Sequence, residues 1–294
     1  MTRSRLAIVT DSTADLSPDL AAERGISVVP LTVHLDGRSY LDGVDITPER
    51  FYGRLASSGG LATTSQPAPG QFAELYQRLL REHEEVLSIH ISSSLSGTYA
   101  AAKQGAALAG EERVKVLDSG FVSMPLALMV LAAAGLGAAG GDADAVLERL
   151  GPIRDAMRVY FMVGTLEYLR RGGRIGRANA LLGSVLQVKP VLTISDGQVA
   201  PLERVRTQER ALARVIELAR RGDQRVCAFV GHAAAEEPAQ RIADALQEVA
   251  ETLIVAPLGP VVGAHAGPGT VGLGLYPAEL FPLGLSRVTS AAAS

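Results

Sequence analysis

Short apolar runs recur along this chain, each closed by polar residues and each followed by a segment of helical periodicity, and no other feature limits its fold as much. Arg5–Asp11 (RLAIVTD), Val86–Ile91, Val114–Leu117, Val159–Val163, Arg225–Gly231 and Thr252–Val255 are such runs. An apolar run without alternation is buried on both faces, as strands of a parallel sheet are. Between the runs lie helical segments. Ser17-Pro18 and Thr47-Pro48-Glu49 supply N-caps and first-turn prolines, the first helix ending near Gly25. Pro69–Glu85 places Phe72, Leu75, Leu79 and Leu80 on one face. Ser92–Gly97 leads into a helix through about Ala109, and Phe121–Ala139 and Asp142–Met157 follow, while Ile26–Val33 reads as a further strand. The first half is thus predicted to be a parallel sheet with helices on both faces.

The second half changes character. Val191–Ile194 and Val199–Val205 flank Asp196-Gly197, a pair suited to a tight hairpin turn. Leu166–Arg170, Thr207–Arg221 and Glu236–Ala250 read as helices, and a glycine-rich tail closes the chain. No repeat recurs at a fixed period. The expected fold is α/β in two α/β domains, residues 1–158 and 159–294.

Composition removes several function classes. With 28 Lys and Arg against 31 Asp and Glu, the net charge of −3 lacks the basic excess of a nucleic-acid binder. The absence of Trp and an aromatic content of 4% argue against base-stacking platforms. Cys227 is the single cysteine, so no internal disulfide forms and a reducing interior is expected. The apolar run Leu6–Val9 stops at Thr10-Asp11, too short for a signal-peptide core. Gly120–Gly141 is uncharged and long enough to span a bilayer, but Pro125 interrupts it and its second half is Ala and Gly. It is read as a buried or pocket-lining helix.

Familiar catalytic signatures are missing. None of Lys103, Lys115 and Lys189 stands in a phosphate-cradling Gly-Lys-Ser/Thr context, and no Gly-x-Ser-x-Gly elbow occurs. His34, His83, His90, His232 and His265 have no metal-ligand spacing. Five other pieces stand out. Asp11-Ser12-Thr13, Thr63-Thr64-Ser65-Gln66-Pro67 and Ser92-Ser93-Ser94-Leu95-Ser96-Gly97-Thr98 are hydroxyl-rich loops, two of them at strand ends where α/β folds gather ligands. Free amides at helix N-termini attract anions there, and hydroxyls add donors without charge, although Ser and Thr also serve as plain caps. Gly172-Gly173-Arg174-Ile175-Gly176-Arg177 aims one guanidinium from a tight turn, in a run where four arginines fall between Arg170 and Arg177. Gly259–Gly269 surrounds His265 with glycines.

Together with Lys189-Pro190 and Val205-Arg206-Thr207, these pieces stand in the order and spacing of the DegV family, which the whole chain resembles. The resemblance implies a bacterial cytoplasmic lipid carrier, not an enzyme, with no metal and no cofactor beyond its ligand, one long-chain fatty acid in a buried tunnel. It implies a ligand at the domain junction, its carboxylate held by Thr64 and Ser93, with Ser92, Ser96 and Thr63 as neighbours and Arg174 and His265 reaching in from the other domain. It further implies a separate fatty-acid kinase that phosphorylates the bound acid, met by a face carrying Arg174 and Arg206. The acyl-phosphate then goes to phospholipid synthesis, with transient membrane contact. The rival reading is a serine-dependent acyl hydrolase using Ser93 and His265, which lacks an acid partner. A third is a protein–protein adaptor without any ligand.

Overall fold

The computed structural model describes residues 4–57, 62–182, 189–284 and 288–289. In chain order the first half contains β1 (Ser4–Asp11), α1 (Pro18–Glu23), β2 (Ile26–Val29), β3 (Thr32–Leu35), β4 (Arg38–Leu41), α2 (Pro48–Ser57), β5 (Ala62–Ser65), α3 (Pro69–Leu79), β6 (His83–His90), α4 (Thr98–Ala109), β7 (Val114–Asp118), α5 (Met124–Ala138) and α6 (Ala143–Asp155). The second contains β8 (Arg158–Met162), α7 (Glu167–Arg171), β9 (Lys189–Ser195), β10 (Gln198–Val205), α8 (Gln208–Ala219), β11 (Val226–His232), α9 (Glu236–Leu246), β12 (Ala250–Pro257), α10 (Pro260–Ala266), β13 (Val271–Pro277) and β14 (Val288–Thr289).

Strands β2-β1-β6-β7 form a four-stranded parallel sheet. A small antiparallel sheet, β4-β3-β5, sits beside it. The second half is built on one mixed sheet, β10-β9-β8-β13-β11-β12-β14, in which β11 runs parallel to β12 and antiparallel to β13. The chain is therefore α/β, with a parallel sheet flanked by helices and a second sheet behind it.

Four elements differ from the sequence reading. Ile26–Val33 is two strands in two sheets, broken at Pro30, which has no N–H to give to a ladder. The helix from Pro69 ends at Leu79, because residues 83–85 pair with the start of β1 (Ser4↔His83, Leu6↔Glu85). The helix from Glu236 likewise stops at Leu246, and the chain turns into β12 at Ala250. The glycine-rich tail, to which the sequence reading assigns no element, supplies α10 and the central strand β13. A Cβ on Gly272 would lie 2.3 Å from Cβ of Phe161, and one on Gly274 would lie 2.8 Å from the nitrogen of Pro125. These glycines let β13 lie flush against β8 and α5.

The uncharged stretch forms α5, whose residues from Met124 to Ala134 are all buried. It packs against β1 of the first sheet and against β11 and β13 of the second. One hydrophobic cluster consequently runs through both halves, joining Ile8 and Leu87 to Phe229, Ile254 and Tyr276. Among the described residues no helix is long and apolar enough to cross a membrane.

Candidate functional site

Three segments converge where the two halves meet. In β5 the burial alternates, so Thr64 is half-buried while its neighbours Thr63 and Ser65 are exposed. After β6 the chain enters the serine loop, residues 92–97. Asp118, at the end of β7, accepts the amides of Ser93 (3.2 Å) and Gly120 (2.9 Å). The Ser92 hydroxyl donates to the Gly197 carbonyl at 2.8 Å and accepts the Ser94 amide at 3.2 Å. Gly197 has φ +73°, and a Cβ there would lie 2.4 Å from Ser92 Oγ, so only glycine lets the β9–β10 turn seat on this loop. Ser96 Oγ and Thr98 Oγ1 are 2.8 Å apart.

The third segment is α10 with the turn after α7. His265 Nε2 lies 2.8 Å from Thr64 Oγ1, while its Nδ1 is buried without a partner among the described residues. Burial first, and the charge of Arg174 second, push the imidazole down from its ordinary 6.5 to about 4. The ring is therefore neutral at pH 7. Gly172 makes room for it, since a Cβ at that position would lie 2.2 Å from Nδ1.

Arg174 differs from the other arginines around it. Arg170 and Arg171 pair with Glu167, and Arg177 pairs with Asp196. Half-buried Arg174 donates instead to two backbone carbonyls, Leu95 O through Nε at 3.0 Å and Gly172 O through Nη1 at 2.6 Å. Among the described residues no carboxylate neutralises it. A guanidinium has five N–H donors, so those two bonds leave donors free for an anion.

These groups border a cavity of about 820 Å³, its open side included. Thr64, Ser96, Arg174 and His265 line it, and most of the remaining wall is apolar, including Ile91, Leu95, Met124, Val159, Phe161 and Ile194. The other sequence-predicted residues lie elsewhere. Ser92 is buried but its hydroxyl is committed to Gly197; Ser93 and Thr63 are exposed and outside the lining. Arg206 is exposed, immediately before the N-cap of α8. No described hydrogen bond joins Ser93 to His265, whose Nε2 is taken by Thr64.

Sequence reasoning passed over several polar groups in the wall, among them Ser123 and Thr270, and gave Thr13 no role. Ser123 takes φ 60°, ψ −130°, a strained conformation with no residue-level signature. Thr13 is held by Asp11, which also accepts His90 Nδ1 (2.8 Å) and the Ile91 amide (3.1 Å). His90 Nε2 continues to Ser88 Oγ (2.7 Å), which Tyr76 reaches at 2.8 Å. This fully buried chain of groups fixes the β1 and β6 ends beneath the cavity. The arrangement suits an amphiphile: one anionic end meets an unpaired guanidinium, an alcohol and a neutral imidazole, and the rest meets hydrocarbon.

A family model described as an uncharacterised protein of the DegV family matches residues 5–278. A DegV domain-containing protein of Halalkalibacterium halodurans is 39% identical over 279 residues, 93% of this chain and 99% of the relative. One from Streptomyces coelicolor is 42% identical over 274 residues, 91% of this chain and 97% of the relative. Among solved structures, a DegV family protein from Thermus thermophilus described by its fatty acid binding superposes with a TM-score of 0.86 at 39% identity, covering 93% of this chain and 99% of the other. DegV of Bacillus subtilis, described as a fatty acid binding protein, gives 0.86 at 31% identity with the same coverage. A stearic-acid-binding protein from Eubacterium ventriosum gives 0.84 at 26%, covering 92% and 98%.

Proposed function

Since this chain belongs to the DegV family, we propose that it binds one long-chain fatty acid, its tail in the apolar cavity and its carboxylate against Thr64, Ser96, Arg174 and His265. The observation that carries this reading is Arg174, a half-buried cation with no carboxylate partner among the described residues, at the polar end of an otherwise apolar cavity. The solved relatives described as fatty-acid-binding support it.

The energetics divide the labour. Each buried methylene contributes about 0.8 kcal/mol, so a long acyl chain gains on the order of 10 kcal/mol gross. A hydrogen bond to the charged head group adds about 1.5–3 kcal/mol. The tail sets affinity, and the polar end sets orientation and register.

The finer part of the proposal is that the protein presents the carboxylate to a separate fatty-acid kinase and carries the acyl-phosphate onward to phospholipid synthesis. An oxygen cradled by an alcohol and a neutral imidazole keeps its electron density and remains a nucleophile. Arg174 stabilises the charge that accumulates as the phosphoryl group arrives, and exposed Arg206 contributes to the face the kinase meets. No side chain here is assigned a catalytic role. A hydrolase built on Ser93 lacks support, because Ser93 is exposed and His265 is bonded to Thr64.

Native mass spectrometry of the purified protein, followed by organic extraction, tests the binding. A single co-purifying fatty acid is expected at one per chain. A protein that neither retains nor takes up fatty acid from an added mixture overturns the reading.

A further inference from the structure

The segment 256–262 borders two cavities: Leu258, Val261 and Val262 line the one described above, and Ala256, Pro257, Gly259 and Pro260 line another. The second encloses about 1270 Å³ with its open side included. It lies at the carboxyl ends of β1, β2 and β12, where strands of an α/β fold deliver ligand-binding loops. Among the described residues its lining contains four acids, Asp15, Asp19, Asp42 and Glu49, and no Lys, Arg or His.

Two of those acids are buried, and they differ in one respect. Asp15 is satisfied: Oδ1 accepts the Gly259 amide at 2.9 Å and Oδ2 accepts the Ser123 hydroxyl at 2.5 Å. Asp42 is only 4% exposed; Ser12 and the Val261 amide reach its carboxyl, yet among the described residues its Oδ2 has no hydrogen-bond partner. The two carboxyls converge on the bare face of Gly259, where a Cβ would lie 2.8 Å from Asp15 Oδ1 and 3.3 Å from Asp42 Oδ1. Burial raises Asp42 to about 7 and Asp15 well above the carboxylate range, the state of acids without a cation at hand. The rim is apolar, with Val44 67% and Val28 38% exposed.

We propose that this cavity is a second binding site, for a small organic cation, an alkylammonium or alkylguanidinium whose charged end meets Asp42 and whose alkyl part lies on Val28 and Val44. A free carboxylate oxygen in a dry wall takes an N–H donor directly. A hard metal ion would need six or more oxygens, and among the described residues no acidic or histidine group is placed to hold one.

The test titrates butylammonium into the lipid-loaded protein at pH 7.5, with 1-butanol as the uncharged control of the same shape. Butylammonium is expected to bind saturably, about tenfold or more tighter than 1-butanol, and to release protons, read in two buffers of different ionisation heat. Asp42→Asn is expected to abolish the preference while the fatty-acid content stays at the wild-type level. Val44→Arg, at an exposed rim position, supplies an internal guanidinium and is expected to block the probe even if the aspartate variant folds poorly. Equal binding of the two probes, no saturable binding of butylammonium, or undiminished binding to the Val44→Arg protein overturns the proposal.

Discussion

Thr64 and His265 stand 201 positions apart in the chain and meet through a 2.8 Å contact between Oγ1 and Nε2, one from the small antiparallel sheet and one from α10. That contact ties the first half of the molecule to the second at the polar end of the cavity. It holds only while the imidazole is neutral or its second nitrogen finds a partner, and among the described residues Nδ1 has none.

Acid should therefore loosen this junction. The folded-state value of His265 is about 4, below the 6.5 of an unfolded histidine, so its contribution to stability is full above pH 6.5 and is lost as the pH falls toward 4. At about 1.4 kcal/mol per pH unit, the loss is at most about 3 kcal/mol. Urea denaturation of lipid-free wild type and His265→Gln at pH 7 and pH 4.5 checks this. The wild type is expected to lose more stability between the two than the variant; equal losses would show that His265 does not titrate in this window.

The sign is reversed at Asp42. Its value is raised to about 7 from the 3.8 of an exposed aspartate, so the folded state binds the extra proton and stability falls as the pH rises from 4 through 7. Asp42→Asn cannot ionise. Relative to wild type, the variant is expected to gain on the order of a few kcal/mol between pH 4 and pH 8. Thermal melts at both pH values read this directly, and a stability difference independent of pH contradicts it.

Gly172 tests the packing around the imidazole. Its φ is −72°, so alanine fits the backbone, but the new methyl would lie 2.2 Å from His265 Nδ1. Gly172→Ala should cost about 1–3 kcal/mol through overpacking and push the ring off Thr64. Faster release of a fluorescent fatty acid, with unchanged far-UV circular dichroism, is the expected result.

How much of this was legible in the sequence depends on what each residue's role required. The strands β1, β6, β11 and β12 are legible because central strands need continuous apolar runs, and Ile8, Leu87, Phe229 and Ile254 are all buried. The β4-β3-β5 sheet is not, since its four-residue strands carry Arg38, His34 and Thr63 on exposed or half-buried faces. The glycine-rich tail shows no strand at β13 in the sequence, because the reason for its glycines, the approach of Phe161 and Pro125, lies far away in the chain. The four arginines after Leu169 look alike in sequence, yet Glu167 stands three and four positions before Arg170 and Arg171. Helical spacing alone could have removed those two and pointed to Arg174. Asp42 carried no signal, because its burial is made by elements from both halves.

Arg174 separates holding the acid from handing it over. Arg174→Ala keeps the apolar wall and the Thr64–His265 pair but removes one charged donor worth about 1.5–3 kcal/mol, so lipid affinity should fall by about ten- to a hundredfold while the tail still holds the acid. Phosphorylation of the bound acid by a fatty-acid kinase should fall by about a hundredfold or more, the scale of losing one donor that stabilises developing charge. Parallel extraction and kinase assays on the same preparation distinguish the two. Unchanged phosphorylation would leave Arg174 as a structural brace for Leu95 and Gly172.

Chain length should be set by the apolar wall, and Ala266 is the place to change it. It lies in α10 beside His265, lines the cavity and is 8% exposed. Its carbonyl accepts Thr270 Oγ1 at 2.8 Å, a bond that a larger side chain leaves in place. Ala266→Leu adds three carbons to the wall, displacing about as much of a bound tail. At about 0.8 kcal/mol per methylene, three fewer buried groups weaken binding of the longest acids by roughly fifty- to a hundredfold. Shorter acids lose little, so the preference moves toward them by about three carbons. Competition among saturated acids of graded length, read by extraction and mass spectrometry, gives the profile. A uniform loss at every length would place Ala266 against the head group instead of the tail.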